Sequence, residues 1–101
     1  MIAVVWAFVV RADAVETFER AYGPDGAWAR LFAAHDGFRG TVLLRDLAEP
    51  RRYVTVDSWD TASQRAAMLA AAREEYERLD RECAELTESE RDLGTFAVNG
   101  E

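Results

Sequence analysis

The stretch Arg51-Arg52-Tyr53-Val54-Thr55-Val56-Asp57-Ser58-Trp59-Asp60-Thr61-Ala62-Ser63-Gln64-Arg65-Ala66-Ala67-Met68 changes period near its midpoint. Tyr53, Thr55, Asp57 and Trp59 alternate with Arg52, Val54, Val56 and Ser58, and helical spacing follows. A period of two giving way to one of 3.6 predicts a strand running into a helix. Asp60 or Thr61 can cap that helix, and Thr61-Ala62-Ser63-Gln64 fits the capping box in which Gln64 reaches back to the cap. One side of the strand carries two aromatics, a hydroxyl and a carboxylate where a core would carry aliphatics. That side is the candidate pocket wall.

Upstream, Phe38 to Arg45 alternates too, with Phe38, Gly40, Val42 and Leu44 opposite Arg39, Thr41, Leu43 and Arg45. The short connection Asp46 to Pro50 predicts that the two strands fold back as an antiparallel hairpin. Gly37 is the natural left-handed stop for a preceding helix, in which Ala27, Trp28, Leu31, Phe32 and Ala34 keep helical spacing. Gly23-Pro24-Asp25-Gly26 separates it from a helix with Ala14, Val15, Phe18 and Tyr22 on its apolar face. We therefore expect a first helix broken into two pieces, capped by Asp13 and Asp25. Before it, Ile2 to Val10 is apolar on both sides, as in a strand covered on both faces.

Downstream, Leu69, Ala72, Tyr76, Leu79, Cys83 and Leu86 recur at spacings of three and four, which predicts one long helix. Its charged residues, Asp80 among them, read as a solvated face with Glu74–Arg78 and Glu77–Arg81 as i,i+4 pairs. The alanines around Met68 and Leu69 allow close approach of another backbone, or can line a cavity. Thr87 to Asp92 reads as a polar connection and Leu93 to Val98 as a fourth strand. The order strand, helix, strand, strand, helix, strand defines an α+β class with a ferredoxin-like βαββαβ antiparallel sheet and helices on one face.

With 101 residues, the chain is expected to form a single domain, residues 1–101. A net charge of −7 disfavours nucleic acid and anionic membranes as partners. Residues 2–10 lack the basic flank of a signal peptide and are too few to span a bilayer. The single cysteine, Cys83, has no internal disulfide partner and suits a reducing, cytoplasmic setting. Because the first two strands are apolar on both sides, a second copy is expected to cover the open sheet face, giving a homodimer through sheet faces.

The all-apolar IAVVWAFVV, the HDGFRGTVLLRD lead-in to the second strand, YVTVDSWDT and the closing LGTFAV together resemble the antibiotic biosynthesis monooxygenase (ABM) family, small dimeric α/β-barrel proteins. The resemblance implies an oxidoreductase, a monooxygenase acting without cofactor or metal on a flat phenolic or quinol-type aromatic bound between sheet and helices. It also implies that Trp59 corresponds to the pocket tryptophan at the end of the third strand. The family's asparagine partner has no evident counterpart, Asp57 standing two residues earlier and Asn99 being the only asparagine. The haem-degrading branch uses a helix histidine as axial ligand; the only histidine, His35, precedes the terminating Gly37 and reads as a helix-end or loop residue.

Such chemistry needs a bound phenol, a proton acceptor and exclusion of water. Asp57 and Tyr53 are the candidate catalytic residues, Asp57 accepting a proton and Tyr53 donating a hydrogen bond. Trp59, Trp6, Trp28 and Arg52 are the candidate substrate-binding residues, with Arg52 or Arg39 stabilising the phenolate. A rival reading puts Tyr53, Thr55 and Asp57 in the interface between two sheets, leaving only Trp59 in a pocket. Non-catalytic binding of the same aromatics and a purely structural dimer are the alternative functions. No serine elbow, phosphate loop, paired cysteines or histidine cluster points elsewhere.

Overall fold

The computed structural model describes residues 1–100. Strand β1 (Ile2–Val10) is central, and β2 (Phe38–Arg45), β3 (Arg52–Trp59) and β4 (Thr87–Ala97) complete a sheet in the order β2-β3-β1-β4. All three pairings are antiparallel, so the ferredoxin-like α+β class holds. Helices α1 (Val15–Tyr22), α2 (Ala27–Ala33), α3 (Ala62–Ala71) and α4 (Arg73–Cys83) supply the second layer, and a short 3-10 turn (Ala84–Leu86) leads into β4. Among the described residues, no helix is long and apolar enough to cross a membrane.

Register assigns the faces. Val4, Trp6 and Phe8 of β1 lie opposite Asp57, Thr55 and Tyr53 of β3. This set packs under the helices, where Phe8, Phe18, Tyr22, Phe32, Tyr53, Trp59 and Met68 are buried together. Tyr53, Thr55 and Asp57 therefore face the helices and not the open sheet face, which removes the rival sheet-interface placement. The open face carries Val54 and Val56, paired with Leu44 and Val42. There Val42, Leu44 and Phe96 are half exposed, at 54%, 50% and 51%.

Several sequence expectations shift. The β2–β3 register slips between Phe38 and Gly40, so Arg39 is a bulge residue and Phe38 joins Thr41 and Leu43 on the helix side. β4 starts at Thr87 and ends at Ala97: Thr87 to Asp92 pair with β1 although they are polar, because an edge strand need bury neither its outer rim nor most of its side chains. The long helix breaks at Ala72 (φ −107°, ψ 23°), with no proline or glycine to mark the break. Asp13 and Asp25 do not cap, since Ala14 and Gly26 occupy the cap positions without side-chain bonds. Neither Glu74–Arg78 nor Glu77–Arg81 closes to an ion pair, whereas Glu16–Arg20 does at 3.6 Å.

The corner after β3 forms as its sequence predicts. Thr61 Oγ1 accepts from the Gln64 amide at 3.1 Å, and the Gln64 side chain returns to the Thr61 hydroxyl. Gly37 stands against it with φ +93°, and a Cβ there would fall 2.3 Å from Gln64 Oε1. The Asp60 amide donates to the Gly37 carbonyl at 2.8 Å, so the start of β2 is tied to the β3–α3 corner. This is what holds Trp59 in place.

Candidate functional site

Between sheet and helices lies a cavity of about 280 Å³. Its floor is sheet: Val4, Trp6 and Phe8 from β1, Thr41 from β2, Thr55, Asp57 and Trp59 from β3, and Glu90 from β4. Its roof is helix, with Tyr22, Trp28 and Phe32 from α1 and α2, Arg65 and Met68 from α3, and Tyr76 and Asp80 from α4. A mostly apolar, aromatic enclosure with a few convergent polar groups is the usual form of a small-molecule site.

Trp59 is 1% exposed, its ring held by Phe38 at 5.1 Å and Phe32 at 5.8 Å between centroids. It is inner wall and core at once. Trp6 is only partly buried and lies near Phe8, 6.5 Å away and close to parallel. Trp28 meets Tyr76 edge to face at 4.9 Å. Its indole Nε1 is buried and makes no well-formed hydrogen bond, although Tyr22 and Cys83 lie close enough to interact with it electrostatically.

Asp57 is the polar group on the floor. Burial pushes its carboxyl above the ordinary aspartate value, while the Thr41 hydroxyl, donating to Oδ1 at 2.5 Å, and the Arg65 guanidinium pull it back. Tyr76 is likewise raised by burial; Arg65 opposes this, and the charges of Asp80, Asp57 and Glu90 add to it. The Tyr22 hydroxyl is raised by burial and then by the neighbouring Cys83. An apolar enclosure that makes a carboxylate more basic can accept a proton from a bound hydroxyl at neutral pH.

Of the residues named from sequence, Asp57, Trp59, Trp6 and Trp28 line the cavity and Tyr53 and Arg52 do not. Tyr53 is buried further along β3 in contact with Phe18 (5.1 Å), and its hydroxyl donates to Glu19 Oε2 at 2.5 Å. Burial and that carboxylate push its phenol to about 12. Arg52 alternates to the opposite face and pairs with Asp46 at 3.2 Å, while Arg39 pairs with Asp60 at the bulge. His35 donates its amide to Phe32 O after α2 and lies off the cavity. Among the described residues, no group of three His, Cys, Asp or Glu side chains is placed to hold a metal ion.

Sequence reasoning missed Thr41, Arg65, Tyr76, Asp80 and Glu90. Arg65, Met68, Ala72, Tyr76 and Asp80 fall at spacings of three, four, four and four, so the two charges continue the apolar stripe at either end. That signal was present. Reading Asp80 with the solvated face hid it, because Asp80 is exposed at the rim while still bordering the cavity. Of the alanine run only Ala72 is buried, and Met68 alone from that segment reaches the cavity.

A four-stranded ferredoxin-like sheet roofed by helices over an aromatic cavity defines a class of small α+β proteins. Residues 1–77 match the family model described as antibiotic biosynthesis monooxygenase, and the chain belongs to that family. Its fold is similar to that of SnoaB, a cofactor-independent oxygenase from Streptomyces nogalater, at 21% identity and a TM-score of 0.72, covering 99% of this chain and 94% of that one. It is also similar to a "putative antibiotic biosynthesis monooxygenase" from Bordetella bronchiseptica (21% identity, TM-score 0.75, 96% and 95% covered). A protein of the same description from Nitrosomonas europaea gives 18% identity and a TM-score of 0.71, with 99% and 100% covered. At these identities the likeness establishes the fold. Among curated proteins none matches the sequence.

Proposed function

We propose that the protein is a cofactor-independent monooxygenase for a flat aromatic of phenolic or quinol type. The observation that carries this reading is the desolvated Asp57 carboxylate on the floor of an aromatic cavity, beside Arg65 as the only cationic side chain in its lining. Trp6, Trp28 and Trp59 offer ring surfaces for a flat substrate. Asp57 takes the phenolic proton and Arg65, in place of Arg52, stabilises the phenolate in a medium where charge interactions are strong. The electron-rich phenolate then gives an electron to dioxygen. Recombination at the ring carbon and loss of water convert a CH₂ to C=O, one oxygen of O₂ entering the product and the other leaving as water.

A second reading is favoured by one observation: no asparagine accompanies Trp59, since Asn99 is the only one in the chain. In that reading the cavity binds the same aromatics without turnover. For assembly, we propose that the open face bearing Val42, Leu44 and Phe96 pairs with the sheet of a second copy, since exposed apolar surface of this kind is usually covered in soluble proteins. The lone buried Cys83 suits the cytoplasm.

Oxygen uptake by metal-stripped protein offered a panel of anthrone-like phenols tests the proposal. Substrate-dependent uptake is expected. Saturable tryptophan quenching with no uptake across the panel supports binding without turnover and overturns the oxygenase reading.

A further inference from the structure

The cavity has an unbalanced charge at its rim. Asp80 reaches it from α4 and Glu90 from β4, one from the helical roof and one from the sheet, and both are exposed toward its outer edge. Among the described residues, neither has an ion-pair partner. The ion pairs of the described residues join Arg11 to Asp13, Glu16 to Arg20, Arg39 to Asp60, Arg51 to Glu88 and Arg52 to Asp46, and so leave both carboxylates free. Asp80 adds to the burial that raises the Glu90 carboxyl, and both charges act on the Tyr76 hydroxyl in the wall.

The one cationic lining residue, Arg65, sits at the other end of the helical stripe, where its charge acts on Asp57 and Tyr76. Three carboxylates, Asp57, Asp80 and Glu90, thus share the lining with one guanidinium. Between the two ends the walls are rings, including Trp6, Trp28 and Tyr76. Aromatic faces attract cations, and the attraction grows as water is excluded. Trp28, 8% exposed, is part of this wall, with Tyr22 and Cys83 as the polar neighbours of its indole N–H.

We propose that the cavity discriminates among flat aromatics by charge, favouring those that carry a protonated amine and rejecting those that carry a carboxylate, with Asp80 and Glu90 as the discriminating residues. This rests on the cavity being a small-molecule site and is independent of whether the ligand is oxidised. An ammonium at the rim gains two unpaired carboxylates and the ring faces. A ligand carboxylate there meets like charges at partial desolvation, and the nearest compensating cation belongs to the other end.

The test compares three probes of one size, naphthylmethylamine, naphthylmethanol and naphthoate, by titration calorimetry at neutral pH under argon. The amine is expected to bind about tenfold more tightly than the alcohol, and the carboxylate at least about tenfold more weakly. In the Asp80→Asn, Glu90→Gln double variant, the ratio of amine to alcohol affinity falls towards one and the carboxylate gains. Because the readout is a ratio measured on one protein preparation, a general loss of stability does not imitate it. Equal affinity for amine and alcohol, naphthoate binding as well as the amine, an unchanged ratio in the double variant, or no binding of any probe overturns the proposal. Selective amine binding together with no oxygen uptake from the anthrone-like phenols in air sinks only the oxygenase reading.

Discussion

Thr41 and Asp57 are direct cross-strand partners in the β2–β3 ladder, and the Thr41 hydroxyl donates to Asp57 Oδ1 at 2.5 Å. The ladder runs without interruption from the Arg45–Tyr53 pair to the Gly40–Ser58 pair, so the hairpin sets this pairing, and the slip between Phe38 and Gly40 beyond it brings only Phe38 to the helix side, opposite Trp59. The register set by the hairpin thus decides which hydroxyl reaches this partly buried carboxylate. Asp57 is thereby held in one orientation while burial keeps it more basic than an exposed aspartate.

The first consequence concerns pH and stability. With its folded pKa above the ordinary 3.8, Asp57 holds a proton in the folded protein over a range where the unfolded chain has lost it, so stability falls as pH rises through that window. Asp57→Asn removes the titration and keeps an oxygen to accept from Thr41. In urea denaturation, the variant should match wild type below the aspartate pKa and become increasingly the more stable as pH approaches neutrality. A gap that does not change with pH would count against a raised Asp57.

Tyr53 should behave as a structural residue. Its hydroxyl bonds to Glu19 Oε2 and lies off the cavity, so Tyr53→Phe should cost about 1–2 kcal/mol in denaturation and leave aromatic-ligand affinity unchanged. The bond's contribution is intact below pH 10 and is lost as pH rises through about 12, the value to which burial and Glu19 push the phenol. A Tyr53→Phe protein that folds normally and binds no ligand would contradict this placement.

The tryptophans should separate by burial. Trp59, at 1% exposure between Phe32 and Phe38, should lose about 3–5 kcal/mol of stability on Trp59→Ala, a large share of what a domain of this size has. Partly buried Trp6 gives the cleaner binding probe. Trp6→Leu should weaken ligand binding roughly three- to tenfold, the loss of a ring contact, with the thermal transition nearly retained.

On the open face, Leu44→Asp places a charge where Leu44 pairs with Val54 beside the half-exposed Val42. Sedimentation velocity should show a homodimer for the wild type and a folded monomer for the variant, since a buried unpaired charge is costly at an interface. A wild type that sediments as a monomer at micromolar concentration would remove the sheet-to-sheet assembly.

The period change at Trp59 and Asp60, the apolar β1, the Gly-Pro-Asp-Gly break and the hairpin at Pro50 were legible because each is a local signal in the residues themselves. The β2 bulge was not, since nothing distinguishes Phe38-Arg39-Gly40 from ordinary alternation until β3 fixes the register. β4 was read short because polar residues on an edge strand look like a loop. At the site, Asp57 and the tryptophans stood out by type and position. Tyr53 and Arg52 failed for different reasons: Tyr53 faces the helices beyond the end of the cavity, and Arg52 points to the other side of the sheet. Asp80 was read with the solvated helix face, and Arg65, one turn into the helix, carried no signal of residue type that set it apart from the polar residues around it.

The proton-accepting role proposed for Asp57 is tested most directly by isotope transfer. Metal-stripped protein and an anthrone-type phenol under ¹⁸O₂ should yield a quinone-type product with one ¹⁸O in the new carbonyl, and Asp57→Asn should slow its formation by about 10²- to 10⁴-fold with ligand affinity nearly kept. An unlabelled product, or a variant that forms labelled product at the wild-type rate, would contradict it.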